Sequence, residues 1–478
     1  MFSREIESSV QMRLYSMSKR HFVVVICLFF LSFTLTLLIG IAGPPIIISY
    51  SNNNSKVSQF NEMKKFYSNS VVSKSMSVFN QQLWLTATIT TKDDEEKFPK
   101  VNVTVNIAGI IKGNNEILIY NGSNKFTQRK FKCVKTKCEE IFIAHINFSS
   151  MKIYKFYVGI SHNNLDIKTI EFTFSTFSSY FSQLEIWFRF SFLVLGFIAT
   201  VIYNNSLRKF SIRDWSMEQK WVAVLLPSLV IYNNPLVPLK FIVNSPVTSV
   251  LDTIFKATFI CLLMLFWVTI YHGMQQTKRR CLTFYFPKIC IVLLIWFMIV
   301  LLPAFQAIRD SADPTFYYKL QNTFLFYKFT LLGSIVIYIL YALFLIITAC
   351  GELRSVPYFN IRIRFFACFM FIVLVFSIVM IGLRYGSGLF NNNFVFERAS
   401  RYANSVEFCA QYGMINLYLF IMAYAYSPAK NAIHEANFQD DPNLSMVNES
   451  DEDVLYGSDI EEANLLSRKS TKSKLNKR

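Results

Sequence analysis

The chain is expected to be an α-helical polytopic membrane protein with an antiparallel β-sandwich on one side of the bilayer, and three features predict this. First, of 478 residues 53% are hydrophobic and 16% aromatic, with forty-eight Phe, which is too apolar for a soluble chain of this size. Second, the apolar residues gather in runs about one bilayer crossing long, joined by short loops. Third, the stretch between the first two runs is rich in Asn, Ser, Lys and Thr, with apolar residues alternating as in half-buried strands. A formal net charge of +17 would suggest nucleic acid in a soluble protein. Here much of the excess flanks apolar runs, where orientation in the membrane explains it, so the lipid bilayer is the expected partner and nucleic acid is not.

Residues 1–21 carry Arg4, Arg13, Lys19, Arg20 and His21 ahead of the apolar run, a bias that places this end in the cytoplasm. The run over 22–42 has two readings. Gly40-Ile41-Ala42 fits a small-x-small cleavage site, whereas the long apolar core and Pro44-Pro45 favour an uncleaved signal anchor. Residues 43–182 are expected to form a lumenal or extracellular β-sandwich, with strands near 82–90, 101–107, 116–120, 140–146, 152–158 and 169–175. Within it, 51–78 reads as a loosely ordered lead-in. The run from Glu185 to Tyr203 enters the membrane from the far side, because the cations after Leu207 belong in the cytoplasm. Further runs at 219–237, 249–271, 284–306, 324–349, 365–383 and 407–427 complete a seven-helix bundle over 183–427, with bends expected at Pro227, Pro235 and Pro303. The tail, 428–478, places an acidic block before a basic one and is expected to be disordered and cytoplasmic.

Chemistry-bearing residues fall into four groups. Cys133 and Cys138 are the two cysteines left for the far side, which favours a disulfide closing a small loop over two free thiols. A zinc site there is less favoured, since His145 and His162 are that region's histidines. Asn53, Asn102, Asn121 and Asn147 head glycosylation sequons in the same region. Ionisable groups at membrane depth are expensive, so Glu185 and Arg189, one helical turn apart, and Asp252 and Lys256, likewise spaced, are candidates. They read either as interfacial pairs anchoring helix ends or as the floor of a cavity under the sandwich. Asn234, Gln411 and Asn416 are deeper polar groups for which interhelical hydrogen bonding would account. In the tail, Glu461 followed by Leu465 and Leu466 matches an acidic dileucine signal for clathrin adaptors. A basic cluster, Lys125, Arg129, Lys130, Lys132, Lys135 and Lys137, contains no acid; it reads as a solvated hairpin or as a surface for an anionic ligand or acidic partner. There is no His-Glu-x-x-His, no phosphate-cradling Gly-rich loop and no Gly-x-Ser-x-Gly. An enzyme, a cofactor or a metal site is therefore not expected.

Several motifs carry a resemblance. Tyr412 to Phe420, followed by Tyr426-Ser427-Pro428 and Lys430-Asn431, resembles the last transmembrane helix of Wntless, and Arg362 to Phe365 and Leu265-Phe266-Trp267 are further points of resemblance to Wntless. Met12 to Phe22, Asn80 to Thr86, Leu184 to Phe190, Leu207 to Trp215, Arg279 to Tyr285 and Val454 to Asp459 resemble the transmembrane protein 181 branch of that Wntless-like family. The resemblance implies a lumenal sandwich of the GOLD type above a seven-helix bundle. It also implies work in the Golgi and secretory route or at the plasma membrane, and a link to host sensitivity to cytolethal distending toxin. The function expected is a receptor that binds a lumenal or extracellular protein or lipid cargo for trafficking. The alternatives are a signalling receptor coupled to G proteins, which suits seven helices but lacks Asp/Glu-Arg-Tyr and Asn-Pro-x-x-Tyr, and a channel or transporter, motivated by Asp252, Lys256 and the Asn234-Pro235 break.

Overall fold

The computed structural model describes residues 10–432 apart from several breaks, the longer ones at 53–59, 274–283, 317–321, 356–368 and 380–401. The expectations for Asn53 and for Glu461, Leu465 and Leu466 lie outside the described residues. Helix α1 (Lys19–Ile41) begins at Ser18, whose side chain accepts from the His21 N–H at 3.3 Å.

Two antiparallel sheets follow. The first orders β1 (Ile47–Asn52), β12 (Ile167–Phe177), β4 (Gln82–Thr91), β9 (Lys137–Cys138) and β8 (Cys133–Val134), with β10 (Ile141–Asn147) also pairing with β4. The second orders β2 (Phe60–Asn61), β3 (Phe66–Val72), β11 (Ile153–His162), β5 (Lys100–Ile110) and β6 (Glu116–Asn121), with β7 (Thr127–Lys130) on β5. Alternation decides what lies between them. Leu83, Leu85 and Ile89 of β4, Val101 to Ile107 at every second position of β5, and Phe156, Phe172 and Phe174 form one core. Each of those Phe side chains contributes about 1.5–3 kcal/mol by leaving water.

The six expected strands are all present. The lead-in over 51–78 is a correction: it holds the end of β1 and all of β3, which pairs along β11 from Phe66 to Val72. The physical reason is one-sided burial. Tyr67 and Val71 face the core while Ser68 and Ser70 face solvent, so the strand reads as polar.

The bundle consists of α2 (Ser179–Leu207), α3 (Met217–Tyr232), α4 (Pro246–Gly273), α5 (Phe286–Ala312), α6 (Asn322–Ser355) and α7 (Ser405–Tyr426). Among the described residues six helices, α1 included, are long and apolar enough to cross a membrane, and Phe286–Leu301 of α5 is a shorter apolar stretch. The span expected at 365–383 is described only in part, at Phe369 and scattered positions to Val379, all helical. The span expected at 219–237 lies within Met217–Phe241, but it is interrupted rather than one continuous α-helix. Pro227 is accommodated within α3, but Pro235 disfavours helical backbone at the residue before it, and a 3₁₀ turn (Val237–Phe241) follows.

Helix α1 is part of the bundle. A Cβ on Gly413 of α7 would lie 2.6 Å from Thr36 Oγ1, and one on Gly40 would lie 2.7 Å from the Val406 Cα. Such close backbone approach is how small residues join helices where no hydrophobic effect separates protein from lipid. The segment before α1 and the segment after α7 meet at the end of the bundle opposite the sandwich, its inner end in the orientation the charges predict: Met12 and Pro428 form an isolated antiparallel bridge, and the Arg13 N–H donates to the Ser427 carbonyl at 2.8 Å.

Candidate functional site

The sandwich is seated on the bundle at two places. At its base, Gln81 adopts φ 55° and its Nε2 donates to Ser182 Oγ at 3.0 Å; that hydroxyl donates to the Phe79 carbonyl at 2.8 Å. This ties the sandwich to the first turn of α2, whose N-terminus is capped by Ser178. The second seat is the turn Asp313-Pro314-Thr315 beyond the end of α5. The Tyr120 hydroxyl donates to Asp313 Oδ1 at 3.0 Å, Lys125 forms an ion pair with Asp313, Arg129 donates to the Thr315 carbonyl, and the His145 N–H donates to the Pro314 carbonyl at 2.8 Å. Thr315 closes the turn on itself, its N–H and hydroxyl donating to Asp313 Oδ1 at 3.0 and 2.7 Å. Behind this seat Trp84 and His145 stack with ring centroids 5.2 Å apart, and the Arg129 guanidinium lies 5.4 Å from the Phe142 ring centre. The basic cluster is therefore a clamp: Lys125 and Arg129 grip a loop of the same chain, and Lys132 pairs with Glu96. Asp313 and Trp84 carried no sequence signal beyond an acid before a proline and an aromatic ring in a strand, and His145 stood out only as one of the region's two histidines.

The second seat pairs opposite charges, whereas the base is held by neutral hydrogen bonds. Burial pushes the Asp313 carboxyl up, but the hydrogen bonds from Lys125 and Thr315 outweigh it and hold its pKa below the usual carboxylate range. The bond to Asp313 in turn raises the Lys125 ammonium.

Two helical turns below the base lies a polar cluster. Ten residues separate Ser179 from Arg189, about 15 Å of helix at 1.5 Å per residue, so the cluster sits in the outer half of the bundle. Arg189 bridges two carboxylates: it pairs with Glu185 on α2, and its Nη1 donates to Asp252 Oδ1 on α4 at 2.9 Å. Lys256 Nζ lies 2.8 Å from Asp252 Oδ2. Glu185 and Arg189, and Asp252 and Lys256, are thus paired as their spacing predicted, and Arg189 joins the pairs into a chain of alternating charge. The four formal charges cancel, which suits a buried position.

Asn234 supplies the third helix. It takes φ 54°, a left-handed conformation that Asn tolerates better than most side chains, and its Nδ2 donates to Asp252 Oδ1 at 2.9 Å. Its Oδ1 accepts the Leu236 N–H at 2.9 Å. That N–H would otherwise serve the Tyr232 carbonyl, and Pro235 has none to offer. The orphaned carbonyl accepts instead from the Tyr412 hydroxyl of α7 at 3.0 Å, with the two tyrosine rings stacked 4.8 Å apart. Asn233 Nδ2 donates to Asn416 Oδ1 at 2.9 Å, and Asn416 Nδ2 donates to the Tyr412 carbonyl at 2.9 Å. The broken end of α3 therefore stitches α4 and α7 together, and the Arg189 guanidinium lies 5.5 Å from the Tyr412 ring centre. Gln411 is buried on α7, but its Oε1 has no hydrogen-bond partner among the described residues, and neither has Arg189 Nε.

Elsewhere, Cys133 and Cys138 form a disulfide across β8 and β9 and lie in the sandwich core. Asn102 and Asn121 are exposed, whereas Asn147 is half-buried and accepts from Gln82 Nε2 at 2.9 Å.

An antiparallel sandwich clamped over a helical bundle whose outer half holds a neutral charge cluster defines a multi-pass membrane protein of the Wntless-like class. Residues 178–430 match the family described as Wntless-like, transmembrane domain, and residues 67–177 match that described as TMEM181, GOLD domain. The chain is 43% identical over 473 residues to human transmembrane protein 181, covering 98% of both chains. It belongs to the transmembrane protein 181 family.

Proposed function

We propose that the chain is a receptor of the secretory pathway or plasma membrane that holds a lumenal or extracellular protein or lipid cargo at the seam between sandwich and bundle. The observation that carries this reading is the seam itself. The clamp around Asp313 and the base at Ser182 fix the two domains as one frame, and the Glu185, Arg189, Asp252 and Lys256 cluster lies beneath it. A guest held there would contact both domains at once, which a tethered module could not offer. Glu461, Leu465 and Leu466 then supply the sorting step by engaging clathrin adaptors from the cytoplasmic tail. A receptor that reaches the cell surface also fits the link to cytolethal distending toxin that the family resemblance implies. The G-protein-coupled reading is less well supported, because residues 10–17 run under the inner ends of α3 and α7, where a coupling partner would have to enter.

Two measurements test this. Leu465→Ala with Leu466→Ala is expected to shift the protein to the cell surface, and an unchanged distribution refutes adaptor sorting. Proximity labelling from the sandwich side is expected to lose its main protein or lipid adducts in Asp313→Asn with Arg189→Gln; an unaltered adduct profile refutes cargo binding at the seam.

A further inference from the structure

The inner end of the bundle carries a basic rim on a fixed backbone. Residues 10–17 are held from two sides: the Val10 N–H donates to the Asp214 carbonyl at 3.1 Å, and the Ala429 N–H donates to the Gln11 carbonyl at 2.9 Å. Gln219 Nε2 donates to the Tyr426 carbonyl at 3.1 Å, and Met12, Leu14 and Met17 are buried. The loop between α2 and α3 is folded on itself. The Phe210 N–H donates to the Leu207 carbonyl and the Asp214 N–H to the Ser211 carbonyl, both at 3.0 Å, and Trp215 Nε1 donates to the Phe210 carbonyl at 3.2 Å. From these segments and the adjoining helix ends Lys19, Arg20, Arg208, Arg213 and Lys220 stand exposed. Ile212, between Arg208 and Arg213 in the loop, is 67% exposed.

We propose that this rim is a binding site for the headgroups of anionic phospholipids. Cations fixed at the ends of membrane-spanning helices meet a leaflet at headgroup level, and an aliphatic side chain projecting between them is suited to the acyl boundary. The chain's own acidic segment, Asp440 to Glu462, offers matching charge but gives no role to Ile212 at membrane level.

The test uses the full chain in phosphatidylcholine nanodiscs with and without phosphatidylserine, with retained lipid counted by native mass spectrometry. Phosphatidylserine is expected to be retained in preference to phosphatidylcholine. Removing one cation weakens that preference about fivefold, and added salt weakens it further. The triple variant Arg208→Ala, Arg213→Ala, Lys220→Ala loses it, and Ile212→Ser reduces it, while both melt with the parent protein. Equal retention of the two lipids, or a preference that survives the triple variant, overturns the proposal. A preference that appears only after deletion of residues 433–478 also overturns it and assigns the rim to the acidic tail.

Discussion

Replacing Arg189 by Gln removes a cation that touches carboxylates on two helices. Its side chain is 4% exposed, and those of Glu185 and Asp252 are 20% and 16% exposed, so water does little to compensate them. Breaking a buried pair by deleting one partner costs on the order of 3–5 kcal/mol, because the charge left behind stays buried. Lys256→Gln is a milder change. Asp252 then keeps the Arg189 guanidinium and the Asn234 amide, so the loss is that of a charged hydrogen bond, about 1.5–3 kcal/mol. Because Arg189 and Asp252 share one network, Arg189→Gln with Asp252→Asn should cost less than the sum of the single changes, by about 0.5–3 kcal/mol. Thermal unfolding of the purified protein with a thiol-reactive dye reads these differences, since Cys261 and Cys409 are buried free thiols that unfolding exposes. If Lys256→Gln destabilises as much as Arg189→Gln, or the double variant is additive, Arg189 is not the bridge and the cluster is two independent helix-end pairs.

Three further outcomes follow from the geometry. A carboxylate held below its ordinary range stabilises docking above its unfolded pKa near about 3.9 and loses that contribution as pH falls through the lower folded value. Lys125, raised by the same bond, contributes fully below the unfolded lysine value and loses that contribution as pH rises through its higher folded value. Asp313→Asn should accordingly speed amide exchange at His145 at neutral pH by about tenfold, for a charged hydrogen bond worth about 1.5 kcal/mol, and make little difference well below pH 4, read by hydrogen-exchange mass spectrometry. Asn102→Gln and Asn121→Gln should each remove one glycosidase-sensitive mobility shift, whereas Asn147→Gln should leave mobility unchanged, because Asn147 is half-buried and its Oδ1 is anchored by Gln82 Nε2. Gly413→Leu should separate α1 from α7 at the Thr36 contact, lowering the melting temperature by several degrees, as expected for overpacking of about 1–3 kcal/mol.

Most of the fold was legible because two periods dominate the chain. Period-two alternation marked six strands of the sandwich, and bilayer-length apolar runs marked the helices. The misses arose where one face alone carried the signal or where a backbone break overrode hydropathy. β3 offers Tyr67 and Val71 to the core and hides them among Ser and Asn, while the span that begins with α3 reaches Phe241 although the break before Pro235 ends its α-helix at Tyr232.

The site divides along the same line between local and distant. Glu185 with Arg189 and Asp252 with Lys256 were readable because four residues is one helical turn, but their union depends on α2 and α4 lying side by side, 63 residues apart at the contact. The docking clamp is a sharper case, since Lys125 and Asp313 are 188 residues apart. What the chain did display was an imbalance: six cations between Lys125 and Lys137 with no acid among them. A strand-rich segment that keeps such a cluster pays in self-repulsion unless acids reach it from elsewhere, and Asp313 and Glu96 do so for Lys125 and Lys132. Unbalanced charge in a folded domain is thus itself a long-range signal. It announces that a partner exists, and only the fold shows that the partner for Lys125 lies on the same chain, beyond the end of α5.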